Sequence, residues 1–192
     1  MDQGGQGQGI IGSRDRGRSC YVDSNIIISL ALHDDDYDAV RSMVEGSPGI
    51  LTSTWGIVEV AAVLHRRLKD EEMLGRLKLL GDVKRLLKAG GPSMLIDYLL
   101  RDAMRSANLS VPDEDLGLAE LRIGSITARS PAIYRDAVDL APRLGLSAGD
   151  LLHIAYARRA SAACFVTLDR EIIRRRSEIE ELTGLSVLGG RR

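Results

Sequence analysis

Two rhythms of apolar and polar positions divide the chain. Short unbroken apolar runs end on polar residues. Between them lie longer stretches in which apolar positions return every three or four residues. Short runs bounded by turn residues predict strands, and the three-to-four spacing predicts helices. Strands are predicted at 19–23, at Ile50–Ser53, at Ala163–Leu168 and at Leu185–Leu188, with a marginal one at Leu121–Ile123. Helices are predicted at Ile26–Leu32 and Tyr37–Val44, then from a Ser53 or Thr54 cap to about Leu68. A further helix spans 71–89, with leucines at 74, 77, 80 and 87, and Gly90-Gly91-Pro92 stops it before another at Met94–Ala107. These two read as a helical hairpin projecting from the sheet. Val111–Leu118 reads as a loop. Pro131 opens a helix at Ala132–Leu144 and Gly145 closes it. Ser147 caps a helix over Asp150–Ala160, and Glu171–Arg176 is a short helix. Strands alternating with helices predict an α/β domain with a mainly parallel central sheet and helices on both faces. Residues 1–18, rich in Gly, Gln, Arg and Asp, have little to bury and are expected to be a flexible tail, leaving 19–192 as one domain.

Four acidic residues end or flank apolar runs: Asp23, Glu59, Asp150 and Asp169. A carboxylate among apolar side chains loses hydration without return unless something positive meets it. In open parallel sheets function gathers at the carboxyl ends of the strands. Asp23 and Asp169 fall at two such ends, and Glu59 and Asp150 near the starts of helices that begin at the same edge. The four can therefore converge on a hard divalent cation, which takes oxygen ligands. Taken singly, each has a plainer role as cap, turn former or surface residue.

Composition narrows the field. A formal net charge of −1 over 192 residues provides no global basic field for nucleic acid, so any such contact needs a local patch. Aromatics at 4% argue against a stacking platform for single strands. Two cysteines, Cys20 and Cys164, are too few for a disulfide scaffold. Both are expected as buried free thiols, close together if their strands are neighbours. There is no apolar run long enough to span a membrane and no signal-peptide pattern, so the expected compartment is the cytoplasm.

Asp34, Asp36, Asp38 and Glu45 fit part of a calcium-loop spacing, but Ala39 stands where that loop needs Gly, so a solvated helix start is expected. His153, one turn after Asp150, can point toward the site, but packing near the core is expected. Basic residues cluster at Arg66, Arg67 and Lys69, at Arg158 and Arg159, and at Arg174–Arg176. Such runs are usually solvated faces, but the first and last groups follow Glu59 and Asp169, where they can flank the acids and hold phosphates.

Tyr21-Val22-Asp23-Ser24-Asn25 resembles the first motif of PIN-domain nucleases, although Ser24 stands where Thr is commoner. Thr52-Ser53 followed by Glu59-Val60 is similar to the second motif. Leu146-Ser147-Ala148-Gly149-Asp150-Leu151-Leu152-His153-Ile154-Ala155 resembles the third and most specific motif, and Phe165-Val166-Thr167-Leu168-Asp169 the fourth. Order and spacing match over 19–188, with VapC-type toxins as the nearest look-alikes and a longer helical segment at 71–107. The resemblance implies a PIN-like fold and an endoribonuclease dependent on Mg2+ or Mn2+. Asp23, Glu59, Asp150 and Asp169 would be the catalytic metal ligands, and Ser24, Asn25, Ser53 and Thr167 the donors that orient them. Arg66, Arg67, Arg174 and Arg175 would hold RNA. It further implies a small antitoxin partner and a homodimer. A non-toxin PIN nuclease of RNA processing and a catalytically silent interaction module are the alternatives.

Overall fold

A computed structural model describes residues 19–47, 49–70, 75, 83–112 and 117–190. The tail expected at 1–18 and most of the helix expected at 71–82 lie outside the described residues. Five strands form one parallel sheet in the order β3-β2-β1-β6-β7: β1 (Cys20–Val22), β2 (Ile50–Leu51), β3 (Leu109–Ser110), β6 (Cys164–Val166) and β7 (Ser186–Leu188). β1 is central because its three residues are apolar and buried on both faces, as parallel strands covered by helices must be.

Alternate residues of β1 face different layers. Cys20 and Val22 join the core built with α1 (Ser24–Leu32), α2 (Tyr37–Glu45), α3 (Thr54–Arg67) and α4 (Val83–Ser106). Tyr21 joins the opposite core, with α5 (Ala132–Leu144), α6 (Ala148–Arg159), α7 (Arg170–Arg174) and α8 (Arg176–Thr183). The domain is therefore a helix–sheet–helix sandwich, with α1, α3, α6 and α7 all starting at the carboxyl edge of the sheet. No described helix is long and apolar enough to cross a membrane.

Four expectations need correction. The stretch after Gly90-Gly91-Pro92 does not project. α4 kinks where Gly91 leaves helical geometry, and its second half lays Leu95, Leu99 and Ala103 into the core against α1 and α3. The third strand of the main sheet is Leu109–Ser110. Leu121–Ile123 belongs instead to β4 (Leu118–Ile123), which pairs antiparallel with β5 (Ile126–Pro131) in a separate two-stranded ribbon packed on α5. The short helix after Asp169 continues, after a break at Arg175, as α8. Finally, Cys20 and Cys164 are not free thiols. They stand directly opposite each other on β1 and β6, with Cα atoms 4.6 Å apart, and form a disulfide.

The expected solvated helix start at Asp34–Asp38 is found: Asp34 accepts from Ser29 Oγ and the Asp36 amide, and α2 runs on through Glu45.

Candidate metal centre

Asp23 follows the last residue of β1 and caps α1, which fixes its carboxylate at the sheet edge. Oδ1 accepts the Ser24 amide at 2.6 Å. Oδ2 accepts Asn25 Nδ2 and Thr167 Oγ1, each at 2.7 Å. Thr167 lies just past β6, the neighbouring strand, so parallel pairing of β1 and β6 delivers both partners to one point. Thr167 Oγ1 in turn accepts the Asp169 amide at 2.9 Å, while Asn25 Oδ1 accepts the Leu168 amide at 3.1 Å. Asp23 is only 4% exposed. Burial pushes its carboxyl above the ordinary value, against the lowering effects of His153 and the Thr167 and Ser24 hydrogen bonds, and Asp150 adds to the rise.

Glu59 lies in the second turn of α3, whose N-cap is Ser53. It meets His153, with Nε2 to Oε2 at 2.6 Å, and the same nitrogen is 3.5 Å from Asp23 Oδ1. The His153 hydrogen bond holds Glu59 below its ordinary value, although burial works the other way. Burial alone would lower His153. The hydrogen bond with Glu59 and the charges of Asp23, Glu59 and Asp150 outweigh it and hold the imidazole above its ordinary value. A protonated His153 donates from both nitrogens. Its Nδ1 lies 2.9 Å from the Tyr21 hydroxyl, which is 2.7 Å from Ser53 Oγ, itself the acceptor of the Gly56 amide at 3.0 Å.

Two glycines permit this packing. A Cβ on Gly56 would fall 2.6 Å from Thr52 Oγ1 and 3.4 Å from His153 Cε1, and one on Gly149 would fall 3.2 Å from Glu59 Oε1. The backbone of α6 thus approaches the Glu59 carboxylate without a side chain between them.

The four acids expected from the sequence all lie at this edge but are not equivalent. Among the described residues, Asp23, Glu59 and His153 bring ligand atoms within 4.8 Å of one another. Asp150 acts on Asp23 and His153 through its charge, while its Oδ2 accepts the Ser147 amide in a capping box. Asp169 caps α7, with Oδ1 accepting the Glu171 and Ile172 amides, and reaches Asp23 only through Thr167. Of the expected supporting donors, Asn25 and Thr167 bond Asp23 directly, Ser24 does so mainly through its amide, and Ser53 acts through Tyr21 and His153. Arg66 and Arg67 are exposed in the last turn of α3. Arg174 pairs with Glu171, and Arg175 with Glu178 at 3.5 Å, on the exposed side of α7 and α8. Tyr21 is the site residue that the sequence did not reveal; His153 is buried, as expected, and also reaches the acids. The signal for His153 was its position one turn after Asp150.

The donor set suits a hard divalent cation. Three carboxylates, those of Asp23, Glu59 and Asp150, interact with one imidazole, which leaves excess negative charge beside a buried acid. Gly149 leaves space at Glu59. Asp23, Glu59 and Asp150 are the residues that would hold such an ion.

The sequence model of the PIN domain matches residues 20–178, which covers the parallel sheet from β1 to β6 and the whole acidic edge. No curated protein matches the chain. The chain belongs to the PIN domain family, whose members are generally metal-dependent nucleases acting on nucleic acid.

Proposed function

We propose that the chain is a metal-dependent endoribonuclease and the toxin of a toxin–antitoxin pair, of the VapC type that its motifs resemble. The observation that supports this reading is the meeting of Asp23, Glu59 and His153 from three separate segments, with Asp150 beside them, at the edge where α/β sheets place their sites. Mg2+ or Mn2+ bound there supplies charge neutralisation at the phosphoryl oxygens and a more acidic water. Asp23, Glu59 and Asp150 are its proposed ligands, with Asp169 joining through the oxygen not used to cap α7. Thr167, Asn25 and Ser24 hold the Asp23 carboxyl group in one orientation, and the Tyr21–Ser53 pair holds the His153 ring. Arg66, Arg67, Arg174 and Arg175 are the proposed RNA phosphate contacts. Antitoxin control would come from a basic side chain entering the acidic edge. A homodimer and a cytoplasmic location complete the reading.

One observation favours a second reading, the catalytically silent module: His153 Nε2 already engages Glu59 Oε2 at 2.6 Å. Cleavage decides between them. Matched preparations of wild type, Asp23→Asn and Asp150→Asn are assayed on RNA with Mn2+ and with EDTA. Cleavage by the wild type alone, abolished by EDTA, is the expected result. Cleavage that persists in both variants or in EDTA overturns the mechanism, and none from the wild type favours the silent module.

A further inference from the structure

α3 divides its apolar side chains between two cores. Val60 and Leu64 are buried in the core shared with α1 and α4, while Trp55 packs against the opposite one, the core that holds Tyr21. Trp55 lies in the first turn of α3, and α3 starts at the carboxyl edge of the sheet. Its ring therefore bridges the two layers at the edge that carries the acids.

That packing leaves one polar atom stranded. Trp55 Nε1 is shut off from water and, among the described residues, has no hydrogen-bond partner. An indole nitrogen can only donate, and a buried indole N–H normally finds an acceptor. A buried donor left unpaired is unfavourable and calls for a reason. Glu59 is the acceptor within reach. Positions four apart on a helix share a face, and side chains lean toward the helix N-terminus, so Glu59 leans back over the turn that carries Trp55. Instead its Oε2 meets His153 at 2.6 Å. That hydrogen bond is the main reason the Glu59 carboxyl lies below its ordinary value, and the nearby indole adds a smaller lowering without completing a bond of its own. On the α6 side, residue 149 is Gly, and a Cβ there would stand 3.2 Å from Glu59 Oε1. No side chain at that position stops the carboxylate from turning.

We propose that Trp55 is a positioning residue for Glu59, its indole N–H taking up the carboxylate when Glu59 turns from His153 toward a divalent cation. The inference rests on the metal reading of this edge. A carboxylate that ligates an ion keeps lone pairs for a second donor, and such donors fix the orientation of the ligand. With His153 as its partner Glu59 leaves the indole unpaired, and with an ion as its partner it does not.

The test uses the fact that Trp55 is the single tryptophan of the chain, so a 15N-labelled sample has one indole N–H signal. Mg2+ is the probe, because it is diamagnetic and leaves that signal sharp. From EDTA to saturating Mg2+ the signal is expected to move downfield, with the midpoint that calorimetry gives for Mg2+ binding. Trp55→Phe keeps an aromatic ring and removes the N–H. It is expected to weaken Mg2+ binding roughly tenfold in the wild-type background, as for a lost bond to a charged group. In the Glu59→Gln background the same exchange is expected to change affinity by less than about twofold, because the two residues act together. Thermal unfolding in EDTA checks that each variant is folded, and the indole signal of the wild type needs no variant. Mg2+ binding without a downfield shift overturns the proposal and leaves the metal reading standing. So does a Trp55→Phe protein that binds Mg2+ like the wild type, or one that loses equal affinity in both backgrounds, since the ring then acts by packing alone. No Mg2+ binding by the wild type overturns both.

Discussion

His153 and Glu59 meet across 94 positions of sequence, Nε2 to Oε2 at 2.6 Å, with Asp23 Oδ1 3.5 Å from the same nitrogen. One imidazole thus serves two carboxylates from different helix starts. Both carboxylates hold that imidazole above its ordinary value.

Replacing it should therefore expose their repulsion. His153→Asn is expected to destabilise the metal-free protein by about 1.5–3 kcal/mol, the range for hydrogen bonds to charged groups. Mn2+ should then recover more stability in the variant than in wild type, because the ion takes over the neutralising role. Urea unfolding with EDTA and with Mn2+ measures both. Equal recovery would count against the counter-ion role.

The pH dependence has a defined sign. His153 is raised in the folded state, so its contribution is complete below its unfolded value of about 6.5 and is lost as pH rises through the folded value. Glu59 is lowered, so its contribution is present above the ordinary carboxyl value and is lost as pH falls through its folded value. Asp23 is raised and contributes in the opposite direction to Glu59 on the acid side. Metal-free stability should thus decline with rising pH above about 6.5, and His153→Asn should flatten that decline. Urea unfolding in EDTA at stepped pH measures this, and a rise in wild-type stability over that range would refute it.

Thr167 is a junction. Its hydroxyl donates to Asp23 and accepts from Asn25 Nδ2 at 3.1 Å and the Asp169 amide at 2.9 Å. Thr167→Val keeps the shape and removes all three bonds. A loss of about 1–3 kcal/mol is expected, the cost of leaving buried polar groups unpaired. Thermal unfolding with no change would show that this network does not position Asp23.

The strands that carry the site were legible because Cys20–Val22 and Cys164–Val166 are unbroken apolar runs followed by an acid or a hydroxyl. The helices were legible where Ser53 and Ser147 cap them. Leu109–Ser110 was not, since a two-residue edge strand carries one buried apolar side chain and no periodicity. Of the ribbon, only Leu121–Ile123 within β4 was legible, as a marginal strand; β5 was not, since its residues are mostly exposed. α8 was not, since its Glu-rich turns bury little beyond Ile179. At the site, local sequence revealed the acids, but the role of His153 depends on partners 94 and 130 positions away, which no local pattern encodes. The cysteine pair likewise depends on the β1–β6 register.

That pair has its own test. Cys20 and Cys164 enclose a long loop, 144 positions apart, and closing such a loop constrains the unfolded chain. Reduction is expected to lower stability by about 2–4 kcal/mol. The unreduced, denatured protein should show no reactive thiol, and the reduced protein two. Two thiols before reduction would contradict the bond.

The proposed function rests on Asp23, Glu59 and Asp150 holding a divalent ion at the carboxyl edge of the sheet. Calorimetric titration of Mn2+ into metal-free wild type and into folded Glu59→Gln tests it most directly. Saturable binding by the wild type, weakened at least about tenfold in the variant through loss of a charged ligand, is the expected result. No binding by the wild type, or the same affinity in both proteins, would contradict it.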